Sequence, residues 1–347
     1  MTAGETALPP GFADLPKAEL HLHLEGSISP LTVVDLARRH GATLDIREAA
    51  ARYQFADFAG FLEAFKWVTS LLRTPEDYAL VTQRLVEDLR GQNVIYAEVT
   101  LSVGVMLRRR QNVEANFAAI REAAESARRN GLRLQWVFDA VRQFGPEKAM
   151  KVARLAAQMK RYGVVAFGMG GDELSLPASR FRHVYDYAAQ EGLHRLIHAG
   201  EIGGPGNVRE AIETLGAERI GHGIAVVRDP ALMSELASRG TVLEVCPTSN
   251  LRTGALARQA GHARASMEHH PLPELFRRGL HIALSTDDPA MFQTNLLDEY
   301  AQATRTGLTE AELVRLAAIS FEAAFLPEDE KALLRARFQA ARARLNL

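Results

Sequence analysis

The sequence predicts an α/β protein in which eight parallel strands alternate with helices and close into a barrel. One observation is that eight short, β-rich apolar stretches recur along the chain, with helical segments between them. Strands that alternate with helices are typical of parallel βαβ units, and eight such units fit a (β/α)8 TIM barrel. A second observation is that histidine and acidic residues lie in or just after these stretches. Barrel enzymes carry their chemistry at the carboxyl ends of the strands, so this placement fits the same fold.

The predicted strands are short, and the segments between them have helical spacing. Residues 115–131 and 230–240, for example, place apolar residues on one helical face and end in glycine. Residues 309–325 and 327–345 are expected to form two closing helices. The predicted strands cover residues 18–24, 93–101, 132–141, 164–171, 194–201, 218–223, 241–250 and 281–289.

Two insertions interrupt the regular spacing of strands. Residues 29–92 separate the first two strands, and residues 251–280 separate the last two. In the first insertion, Thr74 is predicted to cap a helix, with Pro75 at its first position and Asp77 closing a capping box.

The aromatic segment 55–67 also belongs to the first insertion. Phe58, Phe61 and Phe65 share one face of a helix at this spacing. We expect this face to pack into the core rather than to form a lid over a ligand.

Composition limits the class of protein. The chain has 347 residues, 47% hydrophobic and 24% charged, which is ordinary for a globular protein. No linker composition is evident, so residues 1–347 are expected to form a single barrel domain. The formal net charge of −1 provides no overall attraction to nucleic acid or to a membrane surface. Cys246 is the sole cysteine and is expected to be a buried structural thiol.

The expected location is the cytoplasm. The first residues lack the basic and apolar regions of a signal peptide, and no apolar run approaches the length of a membrane span. The sequence does not indicate an oligomeric state.

The stretch HLHLEG places two histidines, His21 and His23, on one face of a predicted strand, because side chains alternate along a strand. One pair of histidines at this spacing can arise by chance in a sequence of this length. A surface helix or a simple turn could explain the other polar residues of the chain. Several such residues at strand ends together favour a metal site, since a catalytic zinc takes three or more N/O ligands. The groups that could converge are His21, His23, His198, His222 and Asp287.

Five motifs in order, HLHLEG, HAGE, ERIGHG, EVCPTSN and STDDP, resemble the adenosine deaminase branch of the amidohydrolase superfamily. The resemblance extends from residue 14 to about residue 325 and implies a (β/α)8 barrel that holds one zinc ion per chain. It implies that the zinc ligands are His21, His23, His198 and Asp287. It further implies that Glu201 is the acid/base facing the purine N1, that His222 orients the attacking water, that Asp288 hydrogen-bonds N7, and that the backbone of Gly171 meets N3.

Physical chemistry is consistent with these roles. Deamination at C6 of a purine needs hydroxide at neutral pH, and a zinc ion lowers the pKa of its bound water to about 7. The ring nitrogen must gain a proton as hydroxide adds. A carboxylic acid such as Glu201 can donate that proton and later deliver one to the leaving ammonia.

Glu25 departs from the pattern of the adenosine deaminases, which usually carry Asp at this position, facing the ribose 5′-hydroxyl. Adenine deaminases often carry Glu there, but they typically have ERIDHG where this chain has ERIGHG. Residues 71–78, 167–173 and 287–292 look most similar to aminodeoxyfutalosine deaminases of menaquinone biosynthesis, which act on an adenosine with an enlarged 5′ substituent. We therefore expect a small-molecule 6-aminopurine nucleoside, adenosine or its 5′-modified form, with free adenine as the next alternative.

Two other classes of function stay open. A binuclear amidohydrolase of another substrate class would share the paired histidines, but the fourth predicted strand lacks the bridging lysine, and only Glu173 could replace it. A barrel kept as a non-catalytic scaffold would have lost its proton-transfer carboxylate, whereas Glu201 is present. The N/O ligand set also suits iron or cobalt. His269 and His270 are expected to end a loop before a helix.

Overall fold

The computed structural model describes residues 8–347 and confirms the barrel. Eight parallel strands form one sheet in which each strand pairs with the next along the chain. All eight predicted strands are present. They are β1 (Lys17–His23), β2 (Val94–Leu101), β3 (Arg133–Val141), β4 (Val164–Gly170), β5 (His194–Ala199), β6 (Arg219–His222), β7 (Val242–Val245) and β8 (His281–Leu284).

The first strand and the segment after the last strand close the barrel. The backbone N–H of His23 donates to the carbonyl of Asp287 at 2.8 Å, and the N–H of Asp287 donates to the carbonyl of His21 at 3.0 Å. This closure brings a candidate site residue from each end of the chain to the same rim.

Helices follow each strand and cover the outside of the barrel. The closing helix α16 (Glu310–Ala323) packs against β8 and β1. In the part of the chain that the structure describes, no helix is both long and apolar enough to cross a membrane. The helices are α1 (Pro30–Arg39), α2 (Ile46–Ala51), α3 (Phe58–Thr69), α4 (Pro75–Gly91), α5 (Val103–Arg108), α6 (Val113–Arg129), α7 (Pro146–Met159), α8 (Arg182–Gln190), α9 (Pro205–Glu213), α10 (Pro230–Arg239), α11 (Pro247–Arg252), α12 (Ala255–Ala260), α13 (Leu272–Arg277), α14 (Pro289–Phe292), α15 (Leu296–Arg305), α16 (Glu310–Ala323) and α17 (Glu328–Leu345).

The last two strands end earlier than predicted. The seventh was expected to continue to residue 250, but Pro247 begins α11, and the eighth was expected to continue to residue 289, where Pro289 begins α14. Proline lacks a backbone donor and its fixed φ suits the first turn of a helix. Motif residues predicted within strands therefore lie on short helices at the rim.

The first insertion folds into α1 to α4, and its predicted helix start is confirmed. Thr74 caps α4, and the carboxylate of Asp77 accepts the backbone N–H of Thr74 at 3.0 Å. Asp77 also pairs with Arg39 at 3.0 Å and with His40 at 2.8 Å. One capping carboxylate therefore joins α4 to the end of α1.

Candidate metal and catalytic centre

Three imidazoles and a carboxylate meet at the carboxyl ends of the strands. His21 and His23 project from the same face of β1, and His198 projects from β5. A ring nitrogen from each of these three histidines lies within 4.8 Å of the others. Asp287 follows β8, and its Oδ1 lies 3.4 Å from Nε2 of His21 and 3.4 Å from Nε2 of His23. The structure therefore brings together all four residues expected to hold a metal.

The donor set fits a single zinc ion. Two ligands that each lie about 2.0–2.1 Å from a tetrahedral zinc are about 3.3–3.4 Å apart, which matches the two distances to Asp287. Among the residues described, none hydrogen-bonds Nε2 of His21, although this nitrogen is buried. Its Nδ1 lies 2.7 Å from a carboxylate oxygen of Glu244. When Nδ1–H donates to Glu244, the lone pair of Nε2 is free for a cation.

Backbone conformation at the rim is unusual where the site is built. His222 has a backbone φ of 63° and Asp287 a φ of 68°. These values lie in the left-handed region that residues other than glycine seldom adopt. Such conformations cluster at functional sites. Gly221 is required for a different reason, because a Cβ there would lie 2.8 Å from Cε1 of His21. The glycine of ERIGHG thus lets β6 approach the candidate metal ligands.

A buried chain of charges supports His21 from behind. The Nε of Arg219 lies 2.7 Å from Oε1 of Glu244, and Nη2 of Arg219 pairs with Glu98. Burial by itself would raise the pKa of Glu244, but the neighbouring Arg219 and His21 hold that pKa below its ordinary value. Glu244 therefore stays an acceptor for Nδ1 of His21.

Glu201 lies just after β5, beside the four candidate ligands. Its Oε2 is 3.6 Å from Nε2 of His222. Burial, together with the charge of Asp287, raises the pKa of Glu201 well above the ordinary value. A carboxyl group that keeps its proton near neutral pH can act as a general acid.

Glu173 fixes the backbone that carries Glu201. Its two carboxylate oxygens accept the backbone N–H groups of residues 200, 201, 202 and 203, at 2.5, 3.2, 3.1 and 2.8 Å. The side-chain amide of Gln259 donates to the carbonyl of Glu201 at 2.5 Å. With both oxygens occupied by amides, Glu173 is not arranged to bridge two metals.

The residues expected to bind substrate occupy different depths. Asp288 lines the central cavity, and burial followed by the charge of Asp287 raises its pKa well above the ordinary value. Gly171 also lines the cavity and has φ of 91°. Glu25 is buried just behind the wall, where its Oε1 accepts the backbone N–H of Ser102 at 3.0 Å, and Ser102 faces the cavity. Burial raises the pKa of Glu25 to about 7.

The empty space of the cavity is about 760 Å³, open solvent at its mouth included. Phe61 stacks on Phe292, with ring centroids 5.1 Å apart, and also lines the cavity together with Phe58 and Phe65. The aromatic segment therefore packs against neighbouring side chains, as expected. It also forms one wall of the cavity, as the alternative of a lid over a ligand would require. Lys66 lines the same cavity.

Sequence reasoning missed several functional neighbours. Asp139, on β3, lines the cavity, and burial raises its pKa to about 8. Ser249 donates to Oδ2 of Asp287 at 2.7 Å. Asn250 and the buried His270 contact each other and connect to His222. The one available signal was the position of Ser249 and Asn250 inside the motif EVCPTSN.

Two minor expectations are also settled by the structure. Cys246 is free and buried, as expected for a structural thiol. His269 accepts the backbone N–H of Ser266 at 3.1 Å and so ends a short turn before α13, as predicted.

Comparisons with known proteins agree with this geometry. Residues 16–341 match the family model described as adenosine deaminase. The chain is 41% identical over 328 residues to an aminodeoxyfutalosine deaminase of Streptomyces coelicolor, covering 92% of this chain and 83% of that protein. It is 37% identical over 325 residues to an adenine deaminase of Chelativorans sp., covering 93% and 98%.

Solved structures show the same fold. The adenine deaminase from Arthrobacter aurescens superposes with a TM-score of 0.86 at 29% identity, covering 94% of this chain and 98% of that chain. An amidohydrolase from Burkholderia ambifaria, solved with bound Zn, has a TM-score of 0.86 at 27% identity, covering 97% and 94%. The chain therefore belongs to the adenosine deaminase family and is a hydrolytic deaminase.

Proposed function

We propose that the protein hydrolyses the 6-amino group of a purine nucleoside, giving the 6-oxo product and ammonia, with one zinc ion per chain. The observation that carries the proposal is the convergence of His21, His23, His198 and Asp287 beside the buried carboxyl group of Glu201, whose pKa is raised, at the base of an apolar cavity. This arrangement supports metal-assisted attack of water on an electron-poor ring, with an acid at hand for the ring nitrogen.

The chain's own residues provide the proton transfers. When bound, zinc would supply hydroxide at neutral pH, since it lowers the pKa of bound water to about 7. Glu201 would donate its proton to N1 as the oxygen adds to C6. Glu201, then ionised, would take the proton of the added hydroxyl group and pass it to the amino group, so that the C6–N bond breaks, ammonia leaves and the 6-oxo group forms. The next water molecule would return a proton to Glu201. Asp288, whose pKa is raised, would donate to N7, and the N–H of Gly171 would meet N3.

A nucleoside with an enlarged 5′ substituent is the preferred substrate in this proposal. The cavity extends from the candidate metal ligands to Phe58, Phe65 and Lys66 of α3, which leaves room for a substrate larger than a free purine. Gly221 favours the same choice, because adenine deaminases typically carry Asp at this position. The 41% identity to an aminodeoxyfutalosine deaminase adds support.

Free adenine is the second candidate. Glu25 matches the residue that adenine deaminases often carry, and the identity to the adenine deaminase of Chelativorans sp. is only slightly lower, at 37%. The two candidates differ in whether a 5′ group contributes binding energy in the transition state.

The test measures ammonia release by the purified, zinc-loaded protein from aminodeoxyfutalosine, adenosine and adenine. We expect kcat/KM to be highest on aminodeoxyfutalosine. A higher kcat/KM on adenine would overturn the nucleoside assignment, and no ammonia from any of the three would overturn the proposed reaction.

Glu25→Asp tests which residue senses the 5′ end. Because the shorter side chain withdraws from the position expected to face the 5′ end, we expect the preference to shift toward adenosine. Glu147→Gln, an exposed substitution on α7, is the matched control. An unchanged substrate ranking in Glu25→Asp would remove Glu25 from this role.

A further inference from the structure

A chain of buried hydrogen bonds runs from the start of α13 to His222. The backbone N–H of Leu272 lies 3.1 Å from Nδ1 of His270, and Nε2 of His270 lies 3.2 Å from Oδ1 of Asn250. The chain ends where Nδ2 of Asn250 lies 3.0 Å from Nδ1 of His222. All three side chains are buried, so water does not compete with these bonds.

The direction of every bond in this chain follows from its first donor. A backbone N–H can only donate, so Nδ1 of His270 must accept and carry no proton. Burial lowers the pKa of His270 to about 3, so at neutral pH the ring holds one proton, which must then lie on Nε2. That N–H donates to Oδ1 of Asn250, and this fixes the amide so that Nδ2 donates to Nδ1 of His222.

We propose that His270 and Asn250 are positioning residues that fix the single proton of His222 on Nε2. Nδ1 of His222 accepts from Asn250, so the neutral ring carries its hydrogen on the other nitrogen. That nitrogen points into the site, 3.6 Å from Oε2 of Glu201 and 3.8 Å from Oδ2 of Asp287. Within residues 8–347 it has no hydrogen-bond partner, although it is buried.

The opposite tautomer conflicts with the same contacts. A proton on Nδ1 of His222 would require the oxygen of Asn250 to face it, which would turn the amide N–H₂ toward His270. His270 would then need an unprotonated Nε2 and a proton on Nδ1, directly opposite the N–H of Leu272. Two donors would then face each other in a buried site, where an unpaired donor is costly.

The consequence for the reaction rests on the proposed function. A ring that presents Nε2–H can donate a hydrogen bond to the attacking oxygen and stabilise the negative charge there. It cannot take the proton from that oxygen, because its one accepting nitrogen is held by Asn250. His222 is therefore a hydrogen-bond donor to the attacking oxygen and not the base that takes its proton.

The test reads the tautomer directly from the full-length, zinc-loaded protein with 15N-labelled histidine. Two-bond 15N–1H correlation spectra distinguish a protonated Nε2 from a protonated Nδ1. We expect His222 to be neutral with the proton on Nε2. A proton on Nδ1, or a mixture of both tautomers in the wild-type protein, would overturn the proposal.

Two substitutions at one position separate positioning from packing. His270→Gln keeps a donor for Oδ1 of Asn250, whereas His270→Phe keeps the bulk and removes the donor. We expect His270→Phe to mix the His222 tautomers and lower kcat about 10–100-fold with little change in KM, and His270→Gln to recover both. Equal spectra and equal kcat in the two variants would contradict the proposal. The control is His269→Gln, an exposed residue that takes no part in the chain of hydrogen bonds.

The readouts also separate this inference from the proposed function. A protein that releases no ammonia from any of the three substrates, yet shows the proton on Nε2, would refute the reaction and retain the hydrogen-bond chain. An active deaminase with the proton of His222 on Nδ1 would support the reaction and refute the direction of the hydrogen-bond chain.

Discussion

Two sets of buried polar groups lie side by side in this barrel, and they differ in what their polar atoms contact. The central groups are His21, His23, His198, Glu201, His222, Asp287 and Asp288. The supporting groups are Glu98, Glu173, Arg219, Glu244 and Glu299. Within the described chain, Nε2 of His21, Nε2 of His222 and Oδ1 of Asp288 are buried with no hydrogen-bond partner. Both oxygens of Glu173, by contrast, accept backbone amides.

The difference identifies which groups are available to a ligand. Burying a polar atom without a partner is costly, so native proteins keep very few such atoms. Nε2 of His21, Nε2 of His222 and Oδ1 of Asp288 belong to residues at the carboxyl ends of the strands, where we expect a bound ion and substrate to complete their contacts. Among the described residues, Nε of Arg219 and Oε1 of Glu244 also lack a hydrogen bond, but these two atoms face each other as an ion pair at 2.7 Å. The supporting groups bind one another and the backbone, so they act by holding the central groups in place.

The largest expected effect is at a central group that we propose ligates the metal. Asp287→Ala removes the carboxylate shared by His21 and His23, so we expect zinc content to fall and activity to drop by at least about 1,000-fold. Metal analysis and ammonia release measure the two effects. Asp288→Asn is the matched control, expected to retain zinc. Full zinc occupancy with normal activity in Asp287→Ala would remove it from the ligand set.

A smaller loss is expected at a central group that moves protons without binding metal. Glu201→Gln keeps the shape of the side chain but has no proton to give to N1, so we expect kcat to fall about 100- to 10,000-fold. Zinc content and Tm should stay at wild-type values. Turnover at the wild-type rate would refute the acid/base role.

A supporting group should affect metal affinity rather than abolish binding. Glu244→Gln weakens the charged acceptor 2.7 Å from Nδ1 of His21, and we expect zinc affinity to fall about 10–100-fold. Competition with a chromophoric chelator measures the affinity. Glu218→Gln, which alters a partly exposed carboxylate at the far end of β6, is the control. Equal affinities in the two variants would show that Glu244 does not support the metal ligand.

The smallest effect concerns a supporting carboxylate whose hydrogen bonds come from Thr248 and Thr294. Burial raises the pKa of Glu299 from 4.5 to about 7, so the folded state binds this proton more tightly than the unfolded state. The stability from this proton is full below pH 4.5 and is lost as the pH rises through about 7.

Glu299→Gln cannot ionise and should escape that loss. The wild-type protein should therefore lose up to about 3 kcal/mol of unfolding free energy relative to Glu299→Gln between acid and neutral pH. Chemical denaturation at several pH values measures the difference. A difference independent of pH would show that the pKa of Glu299 is the same in the folded and unfolded states.

The sequence predicted the central groups better than the supporting ones, and the reason is local. His21 and His23 are two residues apart on one strand, and Asp287 follows a strand, so periodicity and strand order place them at one rim. Glu244 and Arg219 act through contacts with neighbouring strands. A single acidic or basic residue inside an apolar run does not reveal such a partner.

The boundaries of the last strands show a second limit. The motifs EVCPTSN and STDDP were assigned to strands, but Pro247 and Pro289 start helices inside or at the end of them. The turn from strand to helix aims Ser249 at Asp287 and Asn250 at His222. Local propensity does not specify that geometry, because it depends on tertiary packing.

Removal and return of the metal tests the central claim most directly. Ammonia release from aminodeoxyfutalosine would be measured with protein stripped by a chelator, and again after one equivalent of zinc per chain is added. The geometry of His21, His23, His198 and Asp287 predicts loss of turnover on stripping and full recovery at one equivalent. Turnover that survives in the metal-free protein, or recovery that needs two equivalents, would contradict a single zinc site as the origin of the deaminase activity.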